Sequence, residues 1–290
     1  MEHLLQDHLA VIAGAGRGIG RAIALAFAAE GASLVLAARS AAEINVTASA
    51  CQALGVSALA VTADVSDWSQ VQRLAETALA VSSRVDVLVN CAGVHGPIGP
   101  TAEADPAAWA QAVQVNLCGS FYLCRALLPA MIARRQGKII LVAGGGATAP
   151  LPFLSAYASS KAAVVRFAET LAEEVKADNI QVNAIAPGLV DTRLQDDVLA
   201  AGARAGSEYE KARKARETGQ GAVSPQVAAG LAVFLASLQS GTLTGKLISA
   251  PHDPWREWAG QGDALNRSPL FTLRRLDPFT IKPLIKDVQA

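Results

Sequence analysis

Apolar positions along this chain fall into two alternating rhythms: short, continuous aliphatic runs, and Ala- and Leu-rich stretches in which apolar residues return every three or four positions. Strands buried inside a parallel sheet give the first pattern, and amphipathic helices packed on such a sheet give the second. The runs predict seven strands, Leu9–Ala13, Ser33–Ala37, Ala58–Ala63, Val85–Asn90, Gly137–Val142, Ile180–Ile185 and Lys246–Ser249. Helices are predicted near Arg21–Glu30, Ala41–Leu54, Trp68–Ser82, Pro106–Arg134, Ala156–Ala177 and Gln226–Leu238. With right-handed crossovers, this alternation specifies an α/β fold: a single Rossmann-type, doubly wound, parallel seven-stranded sheet with helices on both faces. That domain spans residues 1–250, and a C-terminal extension follows over 251–290.

Two regions leave the rhythm. Residues 189–223 are polar and charge-rich, with Asp191, Arg193, Asp196, Asp197, Arg204 and the run Glu208–Arg216, so a mobile substrate lid outside the sheet is expected there. The last forty residues carry Pro251, Pro254, Pro269, Pro278 and Pro283 with Trp255 and Trp258, and no strand–helix alternation. This tail is expected to wrap over a surface of its own or a neighbouring subunit, where His252, Trp255 and Arg256 either reach an active site or simply pack.

The first strand runs directly into Gly14-Ala15-Gly16-Arg17-Gly18-Ile19-Gly20 and then a helix. Glycine supplies the dihedrals of so tight a turn and lets the backbone approach a pyrophosphate on the helix N-terminus. The spacing is GxxxGxG, and its strand–turn–helix context points to a dinucleotide. At the end of the second strand, where a carboxylate would bond a ribose 2′-hydroxyl, stand Ala38, Arg39 and Ser40, with no acid before Glu43. Arg39, with Arg17 as a second cation, suits a 2′-phosphate and favours NADP over NAD; the alternative is that Arg39 is a solvated loop residue or stacks on adenine. Asp64, after the third strand, is placed to bond the adenine amine.

Composition narrows the partners. Lys plus Arg and Asp plus Glu both number 25, so no basic field draws nucleic acid or an anionic membrane, and a small-molecule substrate is expected. Cys51, Cys91, Cys118 and Cys124 form no CxxC pair and read as four small core residues, with neither disulfide nor metal. Glu2, His3, Gln6, Asp7 and His8 interrupt the opening, and no later apolar run is read as membrane-spanning, so a cytoplasmic location is expected.

Tyr157 and Lys161, four apart on a predicted helix, share a face. A phenol that titrates near ~10 is a weak acid–base group at neutral pH, and a nearby ammonium is expected to lower that value. The GxxxGxG turn, Asn90-Cys91-Ala92-Gly93 after the fourth strand, Asn116 in the next helix, Tyr157-Ala158-Ser159-Ser160-Lys161 and Pro187-Gly188 after the sixth strand occur in that order. This ordered set, over about residues 8–250, resembles the short-chain dehydrogenase/reductase family.

The resemblance implies an NAD(P)-dependent oxidoreductase with Tyr157, Lys161 and Asn116 as its catalytic set: Tyr157 exchanges the proton, Lys161 also bonds the nicotinamide ribose, and Asn116 holds a water in a relay to Lys161. It implies a cofactor site of Gly14, Arg17, Gly18, Ile19, Gly20, Arg39, Asp64, Val65, Asn90, Ala92, Gly93, Tyr157, Lys161, Pro187, Gly188, Val190 and Thr192. It also implies a homodimer or homotetramer built through the long helices that hold Asn116 and Tyr157.

One position departs from the family. A serine usually stands thirteen residues before the tyrosine, or just before a triple glycine; here those positions are Gly144 and Ala143. Three explanations stay open: replacement by Thr148, Ser155, His95 or a backbone N–H of the triple glycine; a true loss, costing about 10²–10³ in rate; or an engineered change. Substrate contacts are expected from Gly144, His95 and Phe153, with Leu151, Leu189 and Val190 nearby and Arg193, Arg204 and Arg256 suited to an anionic substrate group. The leading expectation is hydride transfer between NADP(H) and a small alcohol or carbonyl; the alternative is a catalytically impaired nucleotide-binding scaffold or sensor. An epimerase or dehydratase fits poorly, because the tail is too short for a separate substrate domain.

Overall fold

The computed structural model describes residues 3–275 and Asp277. Glu2, Pro278 and Pro283, which entered the expectations above, lie outside the described residues. Seven parallel strands, β1 (Leu9–Ala13), β2 (Ser33–Ala38), β3 (Ala58–Thr62), β4 (Val87–Asn90), β5 (Gly137–Val142), β6 (Ile180–Ala186) and β7 (Leu247–Ser249), form one sheet in the order β3-β2-β1-β4-β5-β6-β7. This is the doubly wound sheet that the pattern predicts. β4 starts two residues later than expected, and just before it Asp86 Oδ2 accepts from the Leu9 N–H at 2.8 Å.

Every residue of β1 and β4 is buried, so these strands read as unbroken apolar runs. Their side chains nevertheless alternate between two cores. Ala10 and Ile12 face Phe27, Ile44 and Phe234, which belong to the helices α1 (Gly18–Ala29), α2 (Ala41–Gln52) and α9 (Pro225–Ala236). Leu9, Val11 and Ala13 face Leu74, Leu127 and Val164, from α3 (Trp68–Val81), α5 (Gly119–Arg134) and α6 (Ser155–Glu174). The chain reverses direction across the sheet between β1 and β4, which opens a crevice at the carboxyl ends of those strands.

The stretch predicted as one helix over Pro106–Arg134 is continuous but divided: α4 (Pro106–Val113), a π-helical turn at Gln114–Cys118 that contains Asn116, and α5. Contrary to the sequence reading, this run is long and apolar enough by length and composition to cross a membrane. In the fold it is a core helix, with Leu123, Leu127 and Met131 buried against the sheet.

The polar region 189–223 holds two helices, α7 (Arg193–Ala201) and α8 (Ser207–Thr218), as an excursion outside the sheet. The described part of the C-terminal extension packs on the surface of its own chain. Trp255 packs on Phe234 of α9 with ring centroids 5.9 Å apart and donates Nε1–H to the Ala250 carbonyl at 2.9 Å; Trp258 packs against Phe271 with the rings tilted and their centroids 4.7 Å apart. Trp255 is therefore a packing residue. Arg256 lies over its ring, 4.1 Å from the centroid, and His252 is exposed.

Candidate active site

The crevice is floored by backbone. The N–H groups of Gly14 and Ala15 both donate to the Ala37 carbonyl, at 2.8 and 3.1 Å, which pins the turn to β2. Gly14 (φ +75°) has no room for a Cβ, which would stand 2.6 Å from the Ala92 nitrogen; a Cβ on Gly20 would stand 2.2 Å from the Gly14 oxygen. The helix that follows opens without the side-chain cap that four other helices carry. Ser40, Asp67, Asp105 and Ser224 cap α2, α3, α4 and α9 through their side chains. α1 has no side-chain cap at Arg17 and no acid in its first turn. Free first-turn N–H groups on an uncapped helix, behind glycines that admit no side chain, fit a dinucleotide pyrophosphate.

The residues expected at the adenosine end are partly engaged with one another. Arg17 Nη1 donates to both oxygens of Glu43, at 2.9 and 3.1 Å, and Glu43 lies 4.0 Å from Arg193 of α7. Glu43, which the sequence placed beyond the discriminating position, therefore comes back to the turn; its first-turn position on α2 carries it there. Arg39 is exposed and has no partner among the described residues. Asp64 Oδ1 accepts from the N–H and hydroxyl of Ser66, at 2.9 and 2.7 Å. Val65 packs into the space that a Cβ on Gly119 would need.

After β4, Asn90 ties strand to helix: Oδ1 accepts from Ala92 N at 3.0 Å and Nδ2 donates to Ser120 Oγ at 2.9 Å. Asn116, buried in the π-turn, accepts from Val94 N and donates to Val94 O, both at 2.9 Å, and donates to Ser160 Oγ at 2.8 Å. It therefore bridges backbone beside Lys161: a Cβ on Gly93 would lie 3.2 Å from both Asn116 Oδ1 and Lys161 Nζ. Ser160 escaped the sequence reading; its hydroxyl also donates to the Tyr157 carbonyl at 2.8 Å, and its type alone gives no sign of that role.

Lys161 is buried and donates from Nζ to the Val142 carbonyl at 2.8 Å, with Nζ 5.9 Å from the centroid of the Tyr157 ring. Burial lowers its pKa to about 8. The expectation that Lys161 lowers the Tyr157 pKa is not met in this state: desolvation raises the phenol to about 12, and the ammonium is turned to the Val142 carbonyl. Tyr157 thus rests as a protonated donor. Burial also raises the neighbouring Cys91 thiol to about 12, and Cys91 and Cys118 are only half-buried, unlike the core residues Cys51 and Cys124.

Gly144, thirteen residues before Tyr157, has a constrained geometry. Gly144 is extended (φ 169°), a conformation open to any residue, but a Cβ there would stand 2.6 Å from Tyr157 Oη. The tyrosine hydroxyl holds the space a side chain would enter. Ser155 Oγ accepts from Trp109 Nε1 at 3.1 Å, which ties it to α4, and the exposed Thr148 hydroxyl donates to the Gly145 carbonyl at 3.4 Å. His95 lies against Tyr157 edge-on, with ring centroids 4.8 Å apart, and burial with the Lys161 charge lowers its pKa to about 4.

The 189–223 excursion meets this side of the site. Val198, Ala205 and Ala212 pack with Leu154, Leu151 and Tyr157. Thr192 Cγ2 lies 3.1 Å from where a Cβ on Gly18 would be, and Phe153 (φ +70°) fills the space beside Gly206. Pro187 and Val190 are buried between β6 and α7, with Gly188 at φ +83°. The arginines expected to meet an anionic substrate are engaged: Arg204 pairs with Glu103 at 3.0 Å and Arg193 lies near Glu43.

Comparison with known proteins gives the family of the chain. The family model for short chain dehydrogenase matches residues 8–202. The chain is 31% identical to the 3-oxoacyl-[acyl-carrier-protein] reductase FabG of Thermotoga maritima, over 84% of this chain and 96% of that protein. Among solved structures it resembles an NAD+-bound xylitol dehydrogenase (TM-score 0.78, 26% identity, 84% of this chain and 98% of that one). It also resembles an actinorhodin polyketide ketoreductase variant with NADPH (TM-score 0.77, 29% identity, 83% and 95%). The uncapped glycine turn, the Tyr157–Lys161 helix and these matches together establish that the chain belongs to the short-chain dehydrogenase/reductase family, as an oxidoreductase of the NAD(P)-dependent kind.

Proposed function

We propose that this protein transfers a hydride between NADP(H) and a small alcohol or carbonyl substrate, with Tyr157 as its acid–base group. The observation that carries this reading is the position of Tyr157: its hydroxyl faces Gly144 at the carboxyl end of β5, one helical turn from the buried Lys161. The nicotinamide ring, when bound, supplies or accepts the hydride. In the reducing direction Tyr157 gives its Oη proton to the substrate oxygen as the carbonyl carbon gains a hydrogen, and Lys161 stabilises the phenolate left behind. Asn116 fixes the Val94 backbone beside Lys161 and, with a water, would return the proton.

The preference for NADP over NAD rests on Arg39, exposed and without a partner at the end of β2. Arg17 is the second cation, since an exposed pair such as Arg17–Glu43 is worth about 0–1 kcal/mol and yields to a phosphate, whose charge-assisted bonds are stronger. Exposed Phe121, 6.2 Å from Phe167 across α5 and α6, supports a homo-oligomer built through those helices. Four free cysteines support the reducing cytoplasm as its compartment.

The test is binding of NADPH and NADH to the purified chain, followed by cofactor absorbance with a panel of small carbonyls and alcohols. Turnover with tighter NADPH binding is expected. Binding without turnover on any member would favour the scaffold or sensor alternative, for which the empty serine position is the motive.

A further inference from the structure

We propose that His95 gives the substrate oxygen the hydrogen bond that a serine gives in relatives, so that His95 and Tyr157 hold the reacting oxygen from two sides. The proposal rests on the oxidoreductase reading above and names a catalytic residue for it.

The first observation is an orphaned atom. Buried polar groups in folded proteins are almost always bonded, and one left alone calls for an explanation. Among the described residues, two buried side-chain polar atoms lack a hydrogen bond, His95 Nδ1 and Glu169 Oε2. Glu169 Oε2 has an ion-pair partner, Arg166 Nη1, at 2.5 Å. His95 Nδ1 has none, although the residue is only 6% exposed.

The second observation is place. The His95 ring stands 4.8 Å from the Tyr157 ring at an interplanar angle of 77°, beside the group that handles the proton. The third is elimination within the same site. Gly144 carries no side chain and has Tyr157 Oη where one would go, Ser155 Oγ is held by Trp109, and Thr148 bonds the Gly145 carbonyl at the surface. Among the described residues, the imidazole is the buried side chain in contact with Tyr157 that keeps a ring nitrogen with no hydrogen bond.

Neutral imidazole suits the task. Burial keeps the ring uncharged at neutral pH, so it adds no second cation next to Lys161. In the tautomer with hydrogen on Nδ1 it donates to an oxygen that gains negative charge as the carbonyl is reduced. Nδ1 is shut off from solvent in the resting protein, so the bond forms when substrate binding rotates the ring and brings this N–H to the oxygen.

The experiment uses the holoenzyme with cyclohexanone, acetophenone and diacetyl as probes. His95→Phe keeps a ring against Tyr157 and removes both nitrogens. It is expected to lower turnover about 10²–10³-fold, in kcat more than in KM. Cofactor affinity stays unchanged, and the thermal midpoint equals or exceeds that of the parent, because an unbonded buried nitrogen is gone. His95→Gln, which keeps an amide donor, is expected to recover most of the loss. In histidine-ring ¹⁵N NMR of the oxidised-cofactor complex, adding cyclohexanol moves the His95 Nδ1 resonance to that of a hydrogen-bonded donor.

Turnover by His95→Phe within about threefold of the parent overturns the proposal and assigns the oxygen to the amides of the triple glycine. Loss in both variants together with a lower thermal midpoint also overturns it, in favour of a packing role. A parent protein that binds NADPH and reduces none of the probes sinks the oxidoreductase reading and this proposal with it.

Discussion

The cofactor cradle and the substrate side of Tyr157 share one edge of one sheet and are built from different material. In the cradle, backbone meets backbone: Gly14 and Ala15 donate to the Ala37 carbonyl, and a methyl on Gly20 would collide with the Gly14 oxygen at 2.2 Å. On the substrate side, side chains meet side chains: His95 against Tyr157, Phe153 against Gly206, Leu154 against Val198 and Ala212. A main-chain cradle fixes its glycines whatever the substrate. A side-chain pocket can be refilled without moving the sheet, and Gly144 lies in this region.

The sharpest test of that division separates turnover from binding. Tyr157→Phe removes the only atom on the substrate side that can deliver the proton by the proposed route, so turnover is expected to fall about 10²–10⁴-fold. Cofactor affinity, measured by NADPH fluorescence, should stay within about twofold, because the glycine turn keeps its geometry and Tyr157 is one contact among many in the cofactor site. A matching loss of affinity would show that the two regions are not separable.

Acid stability probes the substrate side next. His95 titrates at 6.5 when unfolded and at about 4 when folded, because burial and the Lys161 charge oppose the imidazolium. Between those values the unfolded chain holds the proton and the folded one does not. Stability is therefore full above 6.5 and falls as pH drops towards 4, by about 3 kcal/mol at full extent. Carboxylates titrate in the same range, so the quantity to measure is the difference in urea midpoint between the parent and His95→Phe, near neutrality and near pH ~5. The parent should lose more stability than the variant on acidification, and parallel losses would remove His95 as the cause.

In the cradle the corresponding break is Gly20→Ala. A Cβ that meets a backbone oxygen can be relieved only by moving the turn, at a cost of about 1–3 kcal/mol, with cofactor affinity falling alongside the thermal midpoint. A variant that kept both would show that the turn is softer than its geometry.

The same contrast explains what the sequence made legible. β1 and β5 were placed to the residue, and the cradle glycines were recognisable, because a backbone constraint leaves a fixed spacing in the chain. Side-chain meetings leave no such trace. Glu43 lies 26 residues from Arg17 and Ser160 lies 44 from Asn116, and neither pairing shows in any local period. For Trp255 the sequence left reaching a site and simple packing both open, and the structure packs it on Phe234 of α9 with its Nε1–H on the Ala250 carbonyl. The Tyr157 pKa went the other way from the sequence argument, because a four-residue spacing fixes a shared face but not where the Lys161 ammonium points, which is at Val142.

The smallest expected effect lies where the two regions meet, at the adenosine end. Arg39→Ala removes an unpaired guanidinium at the end of β2; if that group holds a 2′-phosphate, NADPH affinity falls about tenfold, roughly 1.4 kcal/mol, while NADH affinity is unchanged. Glu43→Gln acts on the same phosphate from the other side. It releases Arg17 from a pair 2.9 Å long and removes a negative charge from the turn, so NADPH affinity should rise by about two- to fivefold, again without effect on NADH. Because Glu43 also lies 4.0 Å from Arg193, the variant loosens the tether between the turn and α7. If both cofactors gained equally, the gain would come from a freer α7 and not from phosphate recognition, and the cradle and the helices beside it would have to be treated as one binding unit.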